Sequence, residues 1–241
     1  MKKDFKKFFS TLRFLLRKDS IHLVTMTSSG THWLRLILAK MISSKHLGKI
    51  DVTDVIPHLV SNLENPRIRQ SHIRYLWPIG RVKTIILIRD IRDSLVSNYD
   101  SFRKNQVIDI TFSKFLRNEK YSSKYGLKNR IDFLNSWYKN SRNIDDVLFV
   151  KYEDLKKDLK TQIKKIISFS DINIEEKTIE LIIEETSLFN MKKMEKRASK
   201  ITEKINKGLV GRYKDYFNDS DMEFFRHQIN KSLVYDYGYE Y

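Results

Sequence analysis

The segment from His22 to Met41, HLVTMTSSGTHWLRLILAKM, places an apolar run, a turn of small residues and a helical pattern one after another. It predicts a buried strand that turns directly into a helix. Backbone N–H groups at the start of a helix, together with the positive end of the helix dipole, favour an anion. Ser28, Ser29 and Thr31 would add hydroxyls, and Gly30 would allow a close backbone approach. The segment therefore predicts an anion-binding loop, although an ordinary serine helix cap has the same pattern.

Four candidate strands indicate an α/β fold. They lie at Ile21–Met26, Ile68–Ile73, Lys83–Ile88 and Val147–Lys151. Helical patterns separate and follow them at Thr31–Ser43, Ile91–Arg103, Lys128–Ser141, Asp154–Phe169, Ile174–Glu185 and Asp221–Ser232. Strands separated by helices favour a parallel sheet that is covered on both faces. Because ligands bind beyond the carboxyl ends of such strands, the residues that follow each strand are the first candidates for a site.

The net charge of the chain limits the classes of molecule that it is expected to bind. The 241 residues carry a formal net charge of +16, which favours phosphates, nucleic acid, anionic lipid or a polyanionic substrate. The chain contains no Cys, which excludes disulfide and thiolate chemistry and suits a reducing compartment. No apolar run approaches the roughly 20 residues that span a bilayer. We therefore expect a soluble, cytoplasmic protein.

Basic residues concentrate at the amino terminus and in two polar segments. Residues 2–18 hold seven Lys or Arg, and their phenylalanines and leucines recur at helical spacing. This pattern predicts a basic amphipathic helix over residues 1–20. It either packs on the core, which we favour, or makes a peripheral contact with an anionic membrane. Residues 21–241 are expected to form one domain, in which Arg103–Arg130 and Lys192–Lys207 are predicted to be mobile flaps.

A second anion site is predicted after the third strand. Arg89 directly follows that strand, and Ser97 lies about two turns into the next helix. This spacing can bring a guanidinium and a hydroxyl to one anion. A surface arginine beside a helix start is the alternative. Asp93 is expected to favour the positive end of the helix.

These two segments resemble the paired signatures of the PAPS-dependent sulfotransferase family, in which the sulfuryl donor is 3′-phosphoadenosine 5′-phosphosulfate (PAPS). The family's first loop, P-K-S-G-T-x-W, holds the 5′-phosphosulfate, and this chain matches it at Ser29, Gly30, Thr31 and Trp33. The second segment, R-x-x-x-D-x-x-x-S, holds the 3′-phosphate, and the matches are Arg89, Asp93 and Ser97.

Four further segments follow in the family's order. QSHIRYLW resembles the T-H-L-P strand end, which carries the family's general base and maps it to His72. VKYEDLKKD at Val150–Asp158 resembles the Y-E-D-L/M segment, and TSLFNMKK at Thr186–Lys193 resembles the T-S-F-x-x-M-K stretch near the adenine. NKGLVGRYKDYF at Asn206–Phe217 resembles the C-terminal loop that closes on the 3′-phosphate. The resemblance therefore covers about residues 21–220.

The resemblance implies a three-layer α/β/α fold, similar to that of P-loop NTPases, with a central parallel sheet of about four or five strands. It implies an enzyme that moves a sulfuryl group from PAPS to a hydroxyl or amine of a small-molecule, carbohydrate or lipid acceptor. The product is PAP, and no metal is expected. A neutral imidazole at His72 would accept the acceptor's proton. The residues expected at the cofactor are Ser28, Ser29, Gly30, Thr31, His32, Trp33, Arg89, Ser97, Thr186, Lys207 and Gly208.

The chain departs from the family at its cations. The loop lysine is replaced by Ser28, a second lysine before the histidine by Gln70, and the arginine that opens the C-terminal motif by Asn206. Losing one donor aimed at developing charge typically costs ~10²–10³ in rate. Ser28 is therefore expected to act as a weaker, neutral catalytic donor unless a cation has been relocated. The candidates are Arg35, Arg69, Arg74 and Arg92 near the loop and Arg212 at the 3′-phosphate.

Two other functions stay open. The missing lysine favours a catalytically impaired protein of the same fold that binds PAPS or PAP. The basic charge favours a nucleic-acid-binding or NTP-using protein, but the sequence contains neither a nucleic-acid-binding signature nor a Walker lysine.

Overall fold

A parallel sheet lies in the middle of the structure, a computed structural model that describes residues 20–42, 67–75, 82–141, 146–197 and 208–241. Within these residues its strands are β1 (Ser20–Thr25), β2 (Arg67–Ser71), β3 (Thr84–Ile88) and β4 (Val147–Lys151). Their order is β2-β1-β3-β4, and every neighbouring pair is parallel. The parallel sheet predicted from strands separated by helices is confirmed.

Helices lie between and after these strands. In chain order they are α1 (Thr31–Ile42), α2 (Ile91–Lys104), α3 (Phe112–Arg117), α4 (Glu119–Lys124), α5 (Leu127–Ser141), α6 (Tyr152–Lys157), α7 (Leu159–Ser170), α8 (Glu176–Glu185), α9 (Leu188–Arg197) and α10 (Asp219–Ser232). A 3₁₀ turn covers Arg212–Asp215. Side-chain caps fix several starts, because Asp90 accepts a hydrogen bond from the Arg92 N–H and Asn218 accepts one from the Asp221 N–H.

Strand side chains alternate between two faces, and helices cover both. On one face, Val24 and Ile86 share a buried cluster with α2, α5 and α10. On the other face, Leu23 and Ile85 share a cluster with α1, α7 and α8. Since both faces of the strands are covered, the arrangement is the three-layer α/β/α fold that the resemblance implied.

The single helix predicted over Asp154–Phe169 is wrong, because α6 and α7 meet at Asp158. The Asp158 side chain accepts a hydrogen bond from the Thr161 N–H at 3.0 Å and so starts a new helix there. A helical hydrophobic pattern can continue through such a cap, so the break left no gap in the periodicity.

The prediction of a mobile flap over Arg103–Arg130 is also wrong. This segment forms α3, α4 and the start of α5, and it packs into the first cluster through the fully buried Phe115. Arg130 is fully buried as well and donates to the Ser94 hydroxyl and to the Gly126 carbonyl. The polar composition of the segment suggested exposure to solvent. A buried arginine whose donors are satisfied by several acceptors instead stabilises the packed helices.

The predicted N-terminal helix falls on residues 1–19, outside the described part, apart from Ser20, which begins β1. In the second predicted flap, Lys192 and its neighbours continue α9, whereas residues 198–207, including Lys207, are not described. Among the described helices, none is long and apolar enough to cross a membrane.

Candidate active site

The site lies where the order of the sheet reverses. The chain runs from β1 to β2 on one side and then to β3 on the other side of β1, so the segments after β1 and β3 diverge beyond their carboxyl ends. Open parallel sheets bind ligands at this kind of switch point. The turn at residues 26–30 follows β1, His72 follows β2 and Arg89 follows β3, all at the carboxyl ends of the strands.

The turn after β1 is held in a conformation that few residues tolerate. Gly30 has a φ of +97°, and a Cβ atom added there would lie 2.6 Å from Cδ2 of Tyr152. Ser28 also has a positive φ, of 60°. The buried Ser29 hydroxyl donates to the Met26 carbonyl at 2.6 Å and closes the turn from inside. The backbone thus approaches the Tyr152 ring closely, and α1 begins directly after the turn.

A cavity of about 490 Å³ opens above this turn. Its walls include nine of the residues predicted for the site: Ser28, Gly30, Thr31, His32, Trp33, His72, Arg89, Ser97 and Gly208. Ser29 and Thr186 do not line it, since their hydroxyls donate to backbone carbonyls behind the wall. Lys207 lies outside the described residues. The two anion segments and the candidate base therefore share one cavity.

The His72 ring is oriented by the end of β1. Its Nδ1 lies 2.7 Å from the Thr25 carbonyl oxygen, which can only accept, so Nδ1 carries the proton. Nε2 is then the free base, and the Gln70 side-chain amide donates to it at 3.2 Å. Desolvation lowers the pKa of His72, the Thr25 carbonyl opposes this, and the charge of Arg35 lowers the pKa further. The ring is therefore a neutral imidazole at pH 7, with its basic nitrogen at the cavity.

Arg89 joins three segments around the second anion position. Its guanidinium donates to the Leu209 carbonyl at 2.7 Å and lies 3.6 Å from Asp93 and 4.3 Å over the Tyr152 ring. Its Nε is buried and has no partner among the described residues. Ser97, also in the cavity wall, faces the same space. A guanidinium and a hydroxyl thus line the same cavity, a combination that suits an anion.

Trp33 forms another wall. Its Nε1–H donates to the Thr186 carbonyl at 2.9 Å, and its ring meets the Tyr152 ring edge-on at 5.8 Å. Leu188 lines the cavity beside it, and the Lys156 ammonium lies 5.6 Å over the indole. Thr186 thus acts through its backbone, by holding the indole in place.

The candidates for a relocated cation differ in whether they line the cavity. Arg74 pairs with Asp132, Arg92 with Asp90, and Arg212 with Asp100, and none of the three arginines lines the cavity. Arg212, suggested for the 3′-phosphate, is thus paired with Asp100 outside the cavity. The Arg69 side chain lies outside the description. Arg35 does line the cavity, is 3% exposed and has a pKa that burial lowers.

A family model of the sulfotransferase domain matches residues 18–238. The chain belongs to the sulfotransferase family. It is 31% identical over 198 residues to the amine sulfotransferase of Oryctolagus cuniculus, a match that covers 74% of this chain and 65% of the relative. It is 26% identical over 272 residues to sulfotransferase 1E1 of Mus musculus, covering 97% of this chain and 90% of that relative.

Solved structures of sulfotransferases and a related enzyme share the fold. Mouse sulfotransferase SULT7A1, complexed with PAP, superposes with a TM-score of 0.70 at 23% identity and covers 91% of this chain and 86% of its own. Retinol dehydratase, in complex with androsterone and the inactive cofactor PAP, has a TM-score of 0.72 at 17% identity, covering 94% and 83%. The predicted family and fold are confirmed.

The residue patterns did not predict the contacts of three further residues at the candidate site. Asp93, expected only to favour a helix start, accepts hydrogen bonds from the backbone N–H groups of Gly211 and Tyr213 at 2.7 and 3.0 Å. It therefore ties the C-terminal loop to α2. Tyr152 and Lys156 also line the cavity, and the family segment around Tyr152 was the available signal for them. The described residues contain no group of three or more His, Asp or Glu side chains placed to hold a metal ion.

Proposed function

We propose that this sulfotransferase moves a sulfuryl group from PAPS to a hydroxyl, or an amine, of a small-molecule, carbohydrate or lipid acceptor. The observation that supports it best is the placement of a neutral His72, with Nε2 as its free base, in the same cavity as two anion-binding segments. One of the named relatives is an amine sulfotransferase, and both of the named neighbouring structures hold PAP.

The residues present suit both ends of the donor. Backbone N–H groups at the start of α1, with Ser28, Gly30 and Thr31, would hold the 5′-phosphosulfate. Arg89 and Ser97, with the loop at Gly208, would hold the 3′-phosphate. Trp33 and Leu188 offer a flat apolar slot for the adenine. Ser29 and Thr186 would support these contacts from behind the wall, through the hydrogen bonds described above.

The reaction requires one proton transfer from the acceptor. The acceptor oxygen attacks sulfur, the bond from sulfur to the phosphate oxygen breaks, and His72 Nε2 takes the acceptor's proton. The Nδ1–H to Thr25 hydrogen bond keeps the ring in the tautomer that this transfer needs. The acceptor must first displace the Gln70 amide from Nε2.

The cofactor is tested by calorimetric titration with PAP, with ATP as the control ligand. We expect micromolar affinity for PAP and much weaker affinity for ATP. Equal affinity for the two, or none for either, would contradict the assignment of the cavity to the PAPS family of ligands.

The role of His72 is tested by His72→Ala. Transfer of ³⁵S from labelled PAPS to a panel of hydroxyl and amine acceptors should be abolished, with PAP affinity within a few fold of wild type. His227→Ala, which removes an exposed histidine of α10, is the matched control. A collapse of PAP affinity in His72→Ala would make His72 a binding or structural residue instead.

The 3′-phosphate position is tested by Arg89→Ala. Loss of a charge-assisted hydrogen bond of about 1.5–3 kcal/mol corresponds to PAP binding weakened about 10- to 150-fold. The control is Arg226→Ala, since that arginine is exposed on α10. Unchanged PAP affinity in Arg89→Ala would remove the assignment.

The impaired PAPS- or PAP-binding protein is the second candidate. It is favoured by Ser28, which stands in the place of the loop lysine and whose hydroxyl donates to Asn98 Oδ1 at 3.3 Å. That hydroxyl is already engaged, so it is a poor substitute for a cation. Tight PAP binding without label transfer to any acceptor of the panel would favour this candidate.

A further inference from the structure

Arg35 is a buried cation with no visible counter-charge. It lies one turn into α1, its side chain lines the cavity, and it is 3% exposed. Its Nε is buried without a hydrogen-bond partner, and no carboxylate pairs with it among the described residues. Burying an unpaired charge is strongly unfavourable, because the charge loses its hydration. A side chain kept in this state points to an anion that pairs with it in the working protein.

The position of Arg35 within the cavity identifies which anion. Arg35 lies four residues after Thr31, and residues at that spacing share one helix face. Thr31 donates to the Thr25 hydroxyl at 2.9 Å, and Thr25 holds the His72 ring. Arg35 is also close enough to His72 to act on it electrostatically. Its guanidinium is thus associated with the end of the cavity where the base and the anion loop meet.

We propose that Arg35 supplies the cation that the family carries at the position of Ser28, by contacting the transferring sulfuryl group and the oxygen that links it to the 5′-phosphate. This inference rests on the proposed function. When the bond from sulfur to that oxygen breaks, negative charge grows on the departing phosphate, and a fixed guanidinium stabilises it. The bond from sulfur to the acceptor forms as the acceptor's proton passes to His72.

The other cations of the cavity are placed for different tasks. Arg89 is held by the Leu209 carbonyl and Asp93, on the side of Ser97. Lys156 lies over the Trp33 indole, on the side of the expected adenine slot. Arg35 is the cation of the described cavity that acts on the pKa of His72. A permanent charge there also keeps the base unprotonated, which the reaction requires.

The first test needs no acceptor. Arg35→Met keeps the apolar stem and removes the charge. We expect the affinities for PAPS and for PAP both to fall at least about tenfold, as for a lost charge-assisted hydrogen bond, because both nucleotides keep the 5′-phosphate oxygen that Arg35 would contact. Arg103→Met, a change at an exposed arginine, should alter neither. Unchanged affinity for either nucleotide would overturn the proposal.

Thermal unfolding without nucleotide separates this role from a structural one. Replacing an unpaired buried charge by an apolar side chain of similar length should raise the melting temperature of Arg35→Met above wild type. A fall in melting temperature would mean that Arg35 stabilises the fold, contrary to the proposal. Arg35→Lys, which keeps a charge, should recover part of the PAPS affinity that Arg35→Met loses.

The kinetic test moves the cation back to the loop. We expect Arg35→Met to lower kcat about 10²–10³-fold, and Ser28→Lys in that background to recover at least tenfold. The acid limb of kcat/KM should shift to higher pH in Arg35→Met, because His72 then loses a repelling charge while the Thr25 contact stays. A full-rate Arg35→Met variant overturns the Arg35 proposal alone. A wild-type protein that fails to prefer PAP over ATP overturns the proposed function, and the Arg35 proposal with it.

Discussion

Replacing Gly30 with alanine tests two constraints that meet at one backbone position. The φ of +97° is a conformation that side chains rarely adopt. The added Cβ would also lie 2.6 and 2.8 Å from Cδ2 and Cε2 of Tyr152, where ordinary contacts begin at 3.4 Å. Arg89 stacks on that ring at 4.3 Å and Trp33 meets it edge-on, so the ring has little freedom to move aside.

The two constraints have separate magnitudes. A non-glycine residue at positive φ costs about 1–2 kcal/mol. Forcing an extra methyl group into a packed contact costs about 1–3 kcal/mol. We therefore expect Gly30→Ala to lower the free energy of unfolding by about 2–5 kcal/mol, measured from urea unfolding.

Gly211→Ala isolates the backbone contribution. Gly211 has a φ of +81°, and a Cβ there would meet nothing within 4 Å. This variant should lose about 1–2 kcal/mol, from the φ alone. The reasoning fails if Gly30→Ala is no less stable than Gly211→Ala, since the overlap with Tyr152 would then have no measurable cost.

Three further outcomes follow from the contacts described. The kcat/KM of the wild-type protein should fall as the pH drops through an apparent pKa below 6.5, because burial lowers the pKa of His72 and its protonated ring cannot accept a proton; a limb above 6.5 would exclude His72 as the base. Asp93→Asn should weaken PAP binding about tenfold in calorimetry, since one of the two backbone hydrogen bonds to the C-terminal loop is lost. Glu185→Gln should destabilise the fold by about 2–3 kcal/mol in urea unfolding, because the fully buried Lys40 loses its ion pair at 2.5 Å; no change would show that other contacts of Lys40 suffice.

The fold was predictable from the sequence because its strands are short and separated by helices. The run Thr84–Ile88 is buried at every residue, and its pattern identified a central strand. The break at Asp158 and the packed helices within Arg103–Arg130 were not accessible. A cap inside a periodic helix and a buried arginine both resemble other structures until their hydrogen-bond partners are known.

The sequence predicted which segments form the candidate site, but it did not predict the contacts between their side chains. Two local features located the anion segments: the turn at Ser28–Thr31 and the spacing of Arg89 and Ser97. Both depend only on residues that are close together in the sequence. Which arginine enters the cavity depends on pairing across the fold. Arg35 differs from Arg92 in that Asp90 neutralises the latter, and the sequence alone gives no measure of such pairing.

The order of the sheet divides the candidate site between inner strands and a strand at the border of the described sheet. The two predicted anion segments follow β1 and β3, each of which has a strand on both sides, whereas His72 follows β2, which borders the described sheet. A change in an inner strand disturbs two neighbours, and a change in a bordering strand disturbs one. Under the proposed function, the acceptor side is therefore the half that can be remodelled, by selection or by design, while the half that would hold the donor keeps its geometry.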